Sequence, residues 1–415
     1  MKRVADHLSD VLSVVRPLAP LDVQLLDAHG CVLAEDVVAP WPLPQFDNSA
    51  MDGYAVRAED VREAGADSPV ELSVVADIAA GDSRLTAIGP GLAARIMTGA
   101  PMPAGADAVV PVEYTDGGTV RVQISLAVPA GRHLRRTGED VQTGDTVLEA
   151  GMLLGAAQIG LLAAVGKERV RVRPRPRVVV ISTGRELVEP GLPLELGQIT
   201  DSNSFLLTTA AQEAGAVAYR VAPVPDDESA LLDRIEEQLV RADMIVTSGG
   251  VSAGAYDVVK KVLSDLGTVT FEKVAMQPGM PQGFGTVGND ATPIFTLPGN
   301  PASAFVSFEV FVRPAIRKML GVSRLHRPNV KAVLQATLRS PEGKRQFARA
   351  RWSSAPDGSY LVTPLAGQAS HLLADLANAN ALIVVPEQVT EIAAGQVVDT
   401  VLLDRGRGRG PWLTG

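Results

Sequence analysis

From Arg177 to Leu320 the chain alternates short β-branched runs with longer amphipathic segments, a pattern that fits a parallel sheet covered by helices and little else. Buried strands are predicted at 177–182, 217–221, 244–247 and 294–297. Between them, Asp201-Ser-Asn203 offers capping oxygens to a helix running to about Ala214. Leu231, Leu232, Ile235 and Leu239 form one apolar helical stripe that Asp226 or Asp227 can cap. Val258, Val259, Val262 and Leu263 mark the next helix, and 302–320 the last. The expected fold is multidomain: a central doubly wound, three-layer α/β domain over 175–325, flanked by β-rich domains.

On either side the pattern shifts to short strands punctuated by Gly, Pro and Asp. Residues 45–142 read as an inserted β-rich domain, and 328–404 as a second, barrel-like one. The amphipathic opening segment, 4–15, and an apolar segment, 151–166, flank the insertion, so 1–44 and 143–174 are expected to pack together as a discontinuous linking domain. The 151–166 segment is expected to be a buried helix, too short and too polar at Gln158 to span a bilayer. Residues 405–415 have the composition of a flexible tail.

Composition narrows the function. Lys and Arg number 38 against 47 Asp and Glu, and a net charge of −9 disfavours electrostatic clamping of nucleic acid. A lone cysteine, Cys31, excludes internal disulfides and Cys-ligated metal sites, and it suits a reducing cytoplasm. The five histidines lie too far apart for a local metal clip. The charged N-terminal stretch indicates neither export nor a membrane anchor.

Three loops could carry chemistry. Thr247-Ser-Gly-Gly-Val-Ser-Ala-Gly-Ala-Tyr-Asp257 follows a strand and opens a helix, where backbone N–H groups can meet an oxyanion or simply make a tight turn. Asp257 would repel a phosphate there unless a hard cation such as Mg²⁺ intervened, and Glu186 and Asp226 share that sheet edge by topology. Helix caps and solvated charges are the alternative for each carboxylate. Leu297-Pro-Gly-Asn-Pro-Ala-Ser303 is a second strand-to-helix turn, with Pro301 suited to the first helical position, and Lys273 to Pro281 supplies a cation and a Pro-Gly turn beside it. Residues 42–57 form an aperiodic loop, either a binding loop or turns capped by Asp47, Asn48 and Asp52.

Together these segments resemble the molybdopterin molybdenumtransferase family, the molybdenum insertases that include bacterial MoeA proteins and the gephyrin E domain. The resemblance rests on Phe46-Asp-Asn-Ser-Ala-Met-Asp-Gly-Tyr-Ala55, Arg95-Ile-Met-Thr-Gly-Ala-Pro101, Gly138-Glu-Asp140, Ser182-Thr-Gly184 with Glu186, Ser248-Gly-Gly-Val-Ser252 with Asp257, Leu297-Pro-Gly-Asn-Pro301 and Gly367-Gln-Ala-Ser370, in family order. It implies a cytoplasmic homodimer that transfers molybdate to adenylylated molybdopterin with Mg²⁺ and releases AMP. It also implies a transient contact with the molybdopterin adenylyltransferase.

Carried over position by position, the resemblance makes Asp52, Asp140, Glu186, Asp226 and Asp257 the catalytic carboxylates, with Glu186, Asp226 and Asp257 at the metal. Thr98, Ser248, Gly249, Gly250, Ser252, Pro298 and Pro301 become substrate-binding positions, and Lys273, Ser303, Arg349 and Ser370 the molybdate positions. Asp52, Thr98 and Asp140 match positions contributed by the dimer partner. Many relatives carry Lys-Pro-Gly-Lys-Pro where this chain has Gln277 and Met280, and Arg185 stands where Asp is frequent before the glutamate. Two rival readings remain: the adenylyltransferase, whose central domain is similar, and a non-catalytic scaffold of the same fold.

Overall fold

The computed structural model describes residues 1–225, 227–249, 258–265 and 268–403, which fall into two compact units. One contains Met1–Asp22, Gly30–Ala34 and the chain from Arg171 onward, and the other contains Val23–His29 and Glu35–Val170.

In the first unit, β1 (Arg177–Thr183), β2 (Val217–Val224), β3 (Met244–Ser248), β4 (Val269–Lys273), β5 (Pro281–Val287) and β6 (Thr292–Leu297) form a sheet ordered β2-β1-β3-β6-β5-β4. Side chains alternate along each strand, so Val178, Val180, Met244 and Val246 enter one core while Val179, Ile181 and Ile245 enter another. The first core takes the Asn203–Ala214, Pro301–Ser307 and Arg313–Leu320 helices, and the second takes Leu231 and Ile235 of Glu228–Leu239 with Val259, Val262 and Leu263 of Val258–Asp265. This is the expected three-layer arrangement.

The sheet is not parallel throughout. Strands β2, β1, β3 and β6 run parallel, but β5 is antiparallel to both neighbours. Lys273 pairs with Pro281 across a Pro-Gly turn and Val287 pairs with Thr292, connections too short for a crossover helix.

The predicted 302–320 helix is likewise interrupted. A π-helical turn at Phe308–Val312 separates its halves, next to Pro314, which lacks the N–H that would continue the α-helical ladder. The opening helix, Val4–Val14, belongs to the first unit and buries its apolar face there. Val4, Val11 and Val15 are buried in the α/β core with Phe311 and Ile316, and Lys2 bridges to Val274.

Five strands at Asn329–Leu334, Arg345–Ser354, Tyr360–Pro364, Ala381–Val385 and Val397–Leu402 close into a barrel, because Arg345–Ser354 pairs with both Tyr360–Pro364 and Ala381–Val385. Met276–Gln277 adds a short parallel strand against Arg345–Gln346 and so joins the barrel to the α/β domain. Arg327 reinforces that junction, its guanidinium donating to Glu309 at 2.7 and 2.8 Å, to Glu213 at 3.0 Å and to the Leu403 carbonyl.

The second unit is built on a five-stranded sheet in the order Ala108–Pro111, Gly53–Val56, Leu92–Ile96, Val70–Ile78, Arg121–Ile124. Tyr54, Val56 and Val110 fill one core, and Ala55, Ile96 and Val109 the other. The expected buried helix at 151–166 is only Ala156–Ala164, and it is largely exposed. Leu154, Leu162 and Val165 are buried, but Met152 and Leu153 keep 41% and 47% of their surface. A mostly apolar, Gly-containing segment does not disclose how much of its surface its own chain covers.

Glu309 is 3% exposed in its side chain, so Arg327→Met should remove both of its short hydrogen bonds, leave it only Arg313 at 3.8 Å, and cost up to about 3–5 kcal/mol. The double variant Arg327→Met, Glu309→Leu should regain part of that in thermal unfolding, the remainder reflecting Arg313, which loses its own counter-charge. A single variant as stable as the parent would show that the pair does not support the junction.

Candidate functional site

The strand register sets the geometry. Ser182 pairs with Ser248 and Ser248 with Leu297, so β1, β3 and β6 end level and the segments Thr183-Gly184, Ser248-Gly249 and Pro298-Gly299 emerge side by side. On the flank, Thr183 pairs with Val224, which leads the chain to Asp226 and Asp227. Asp227 caps the Glu228–Leu239 helix by accepting from the Ala230 amide at 2.9 Å.

The turns pack this closely because they lack side chains. At Gly249, φ is +98°, and a Cβ would lie 2.6 Å from the Thr183 carbonyl oxygen. A Cβ on Gly299 would sit 3.7 Å from Gly249 Cα. The Glu186 carboxylate folds back over Gly184, where a Cβ would meet both its oxygens at 2.7 Å. Ser248 is buried, and its Oγ accepts from Asn203 Nδ2 at 2.8 Å. That same Nδ2 donates to the Gly299 carbonyl at 2.6 Å.

The Pro301–Ser307 helix carries Pro301 at its first turn and a buried Ser303. Its start is tied to the barrel: the Ala302 amide donates to the Ser370 carbonyl at 3.0 Å, and Asn300 Nδ2 donates to Ser370 Oγ at 3.0 Å. Beside Ser370, Arg349 is 1% exposed. Its Nη2 donates to the Gly367 and Ala369 carbonyls at 2.7 and 2.9 Å, while Nε and Nη1 are buried without a partner. Burial pushes the guanidinium below its usual pKa, with the nearby Asp375 opposing the shift. Gln368 holds the segment in place, accepting from the Arg349 amide and donating to the Arg349 and Leu365 carbonyls. Lys273, at the end of β4, is exposed.

In the second unit, residues 42–57 are not a loop throughout, since Gly53–Val56 is a buried central strand, and the part that precedes it gathers two neighbouring segments. The Thr98 amide and hydroxyl donate to Asp52 Oδ1 at 2.6 and 2.8 Å, holding the Asp52 carboxyl below its usual range. The Thr137 amide and hydroxyl donate to Asp47 Oδ1, and Arg136 donates to Asp47 Oδ2 at 2.7 Å. Asn48–Ser49 pairs with Leu134–Arg135, and the exposed Asp140 follows, its amide donating to the Leu43 carbonyl.

Thus Glu186, Ser248, Gly249, Pro298, Pro301, Ser303, Arg349, Ser370 and Lys273 all lie in the first unit, the first six at or next to the strand ends. Asp52, Thr98 and Asp140 lie in the second. Asp226, Gly250, Ser252 and Asp257 lie outside the described residues. Among the described residues no three His, Cys, Asp or Glu side chains gather as a metal site. Sequence reasoning gave no site role to Asp47 or to Asn203. The only signal for Asn203 was a helix-capping pattern, and Asp201 takes that role by accepting from the Ser204 amide and hydroxyl.

Comparisons with known proteins bear on the whole chain. Three family models match: "MoeA N-terminal region (domain I and II)" over residues 2–166, "Probable molybdopterin binding domain" over 179–318, and "MoeA C-terminal region (domain IV)" over 331–403. Molybdopterin molybdenumtransferase 2 of Mycobacterium tuberculosis is 50% identical over 402 residues, covering 95% of this chain and 98% of that protein. Molybdopterin molybdenumtransferase of Bacillus subtilis is 36% identical over 398 residues, covering 94% and 91%. The solved structure of a molybdopterin biosynthesis MoeA protein from Pyrococcus horikoshii is 32% identical, with a TM-score of 0.75 over 97% of this chain and 99% of that one.

The Asp47 clamp has a pH signature. Its carboxyl is held below the ordinary 3.8, first by the Thr137 amide and then by Arg136 and the Thr137 hydroxyl, so its stabilising contribution is present at neutral pH and lost as pH falls through the depressed value. Asp47→Asn should therefore lower the thermal midpoint at pH 7 and converge on the parent in acid well below 3.8. A gap that stays constant with pH would reject the clamp.

Proposed function

The chain belongs to the MoeA family of molybdopterin molybdenumtransferases and is a transferase that inserts molybdenum in molybdenum-cofactor biosynthesis; from that premise we propose that it transfers molybdate to adenylylated molybdopterin with release of AMP. One observation carries the reading: a buried arginine, Arg349, with two donors unused, fixed beside the helix start that follows β6. A guanidinium held that way suits a tetrahedral dianion, which would supply the missing acceptors and add to the charge of Asp375.

In this reading Arg349, Ser370, Ser303 and Lys273 bind molybdate. The glycine turns after β1, β3 and β6 hold the phosphate end of the adenylylated substrate, with Ser248, Gly249, Gly250, Ser252, Pro298 and Pro301 lining it. Glu186 supports a Mg²⁺ site through the chemistry of its donor: a hard carboxylate at the strand end is what Mg²⁺ takes alongside water and substrate phosphate. Glu186, with Asp226 and Asp257, would hold the ion. When bound, Mg²⁺ offsets phosphate charge that these carboxylates would otherwise repel. The residues then divide the work: the turns orient the phosphate end and Arg349 fixes the oxyanion.

We also place Asp52, Thr98 and Asp140 in the active site of a partner copy. Supporting this, Asp52 is exposed yet rigidly oriented by Thr98, and the same unit exposes apolar surface at Met152 and Leu153 for a second copy to cover. Cytoplasmic location and a transient contact with the adenylyltransferase that makes the substrate belong to the same proposal. No helix of the described residues is long and apolar enough to cross a membrane.

Arg349→Ala should raise the molybdate needed for half-maximal AMP release at least about tenfold, the loss of a charge-assisted hydrogen bond being worth roughly 1.5–3 kcal/mol. An unchanged molybdate dependence would remove Arg349 from the site. For the composite site, Asp52→Asn and Glu186→Gln should each be inactive as homodimers. Random mixing gives about half mixed dimers, each with one intact site, so activity should return to about a quarter of the parent's. Verified subunit exchange with no recovery would sink the shared site.

A further inference from the structure

Asn203 occupies the first turn of the Asn203–Ala214 helix without capping it. Its amide nitrogen instead donates in two directions, to Ser248 Oγ at 2.8 Å and to the Gly299 carbonyl at 2.6 Å. One side chain from a third element thus ties the turn after β3 to the turn after β6. Its Oδ1 is buried and has no partner. Reversing the amide would set that oxygen against the Gly299 carbonyl oxygen, acceptor against acceptor, so the orientation is fixed by its neighbours. A buried acceptor left unsatisfied costs stability. The position therefore keeps an amide for what its nitrogen donates, not for a well-satisfied core.

Among the described residues the two turns have little else to set their separation. The paired residues of β3 and β6 end at Ser248 and Leu297, beyond which the Gly249 amide still reaches the Leu297 carbonyl at 3.1 Å. Past that point two glycines face each other, with no side chains to act as spacers. Ser248 Oγ has one further contact, a 3.5 Å approach to the Pro298 carbonyl that is weak for a hydroxyl donor.

We propose that Asn203 is a positioning residue for the nucleotide end of this site: its single amide sets the spacing and orientation of the Ser248-Gly249 and Pro298-Gly299 turns before the phosphate arrives. This rests on the proposed reaction, in which those turns hold the phosphate that leaves as AMP. Pre-set donors and backbone cost no reorganisation when the ligand binds, and misplacement of about 1 Å is enough to lower a rate roughly a hundredfold. Asn203 acts through the turns and touches no reacting atom.

The test compares the parent with Asn203→Ala and with Asn203→Asp, which keeps the shape but replaces the donating nitrogen by an acceptor. AMP affinity is measured by calorimetry and molybdate-dependent AMP release by turnover. Both variants should bind AMP at least about tenfold more weakly while the molybdate concentration for half-maximal rate stays within about twofold, because the oxyanion slot around Arg349 is untouched. A loss of global stability alone would leave the AMP affinity of the folded protein unchanged. Should Asn203→Ala fail to fold, the near-isosteric Asn203→Asp decides. Parental AMP affinity in the folded variants overturns the role of Asn203 and leaves the proposed reaction standing. If the parent neither binds AMP nor releases it, the proposed reaction falls and this inference falls with it.

Discussion

The level ending of three parallel strands is the constraint on which the site depends. Ser182, Ser248 and Leu297 share one register, and the side chains leading up to them are buried to both sides of the sheet, so a slip by one residue would turn apolar cores outward. The turn after β3 can lie against the turn after β1 only because Gly249 is bare, at a positive φ and with a Cβ position 2.6 Å from the Thr183 carbonyl oxygen. A consequence is that backbone, not side chain, forms the floor at the strand ends. The polar groups around it must come from elsewhere: Glu186 from the β1 turn, Asn203 from a helix start, Asn300 from the turn after β6.

The barrel is fastened to that floor at separate points. Met276–Gln277 pairs with Arg345–Gln346, Asn300 and Ala302 bond to Ser370, and Arg327 reaches Leu403. Arg349 lies in the strand that receives the first of these, so its guanidinium is held in a fixed relation to the Pro301–Ser307 helix. Gln277 and Met280 stand where the resemblance leads one to expect lysines, and the turn they belong to is held by backbone bonds, Met280 accepting from the Val274 amide. The turn therefore needs no charge at these two positions to keep its backbone geometry. On the proposed reading the cationic character near the oxyanion then falls to Arg349 and Lys273.

Much of this was legible in the chain. Strand positions, the glycine turns and the order of the motifs are local properties, set by two-residue and helical periodicities and by turn chemistry. What was not legible depends on partners. The stripe of Val4, Val11 and Val15 announces a buried face but not the surface that buries it. The 151–166 segment announces apolarity but not its exposure. The antiparallel β5 turns on the length of two connections, and the π-helical turn on Pro314, each a single local feature inside a stronger pattern. Arg349 is the sharpest case, since it sits in the run Arg345-Gln-Phe-Ala-Arg-Ala-Arg351 with Arg351 on the same strand face. Alternation treats the two arginines alike, but one is buried and the other exposed.

That difference favours a catalytic architecture over a scaffold of the same shape. A barrel that served only as a spacer would be more stable with an apolar residue at Arg349, because a buried cation with two idle donors is a net cost to the fold. The cost is maintained by local support: Gln368 brackets the residue with two hydrogen bonds to its backbone and a third to Leu365, and two carbonyls fix one end of the guanidinium. Support of that kind orients the unused Nε and Nη1 and does nothing to satisfy them. Asn203 repeats the pattern at the strand ends, with two bonds made, one acceptor idle and the orientation fixed by the bonds that are made. Two separate elements thus carry polar side chains that are held firmly and left incompletely paired. Binding energy kept in reserve beside the strand ends is what a pre-organised ligand site requires, whereas Arg313, with two donors likewise idle, answers to the buried Glu309.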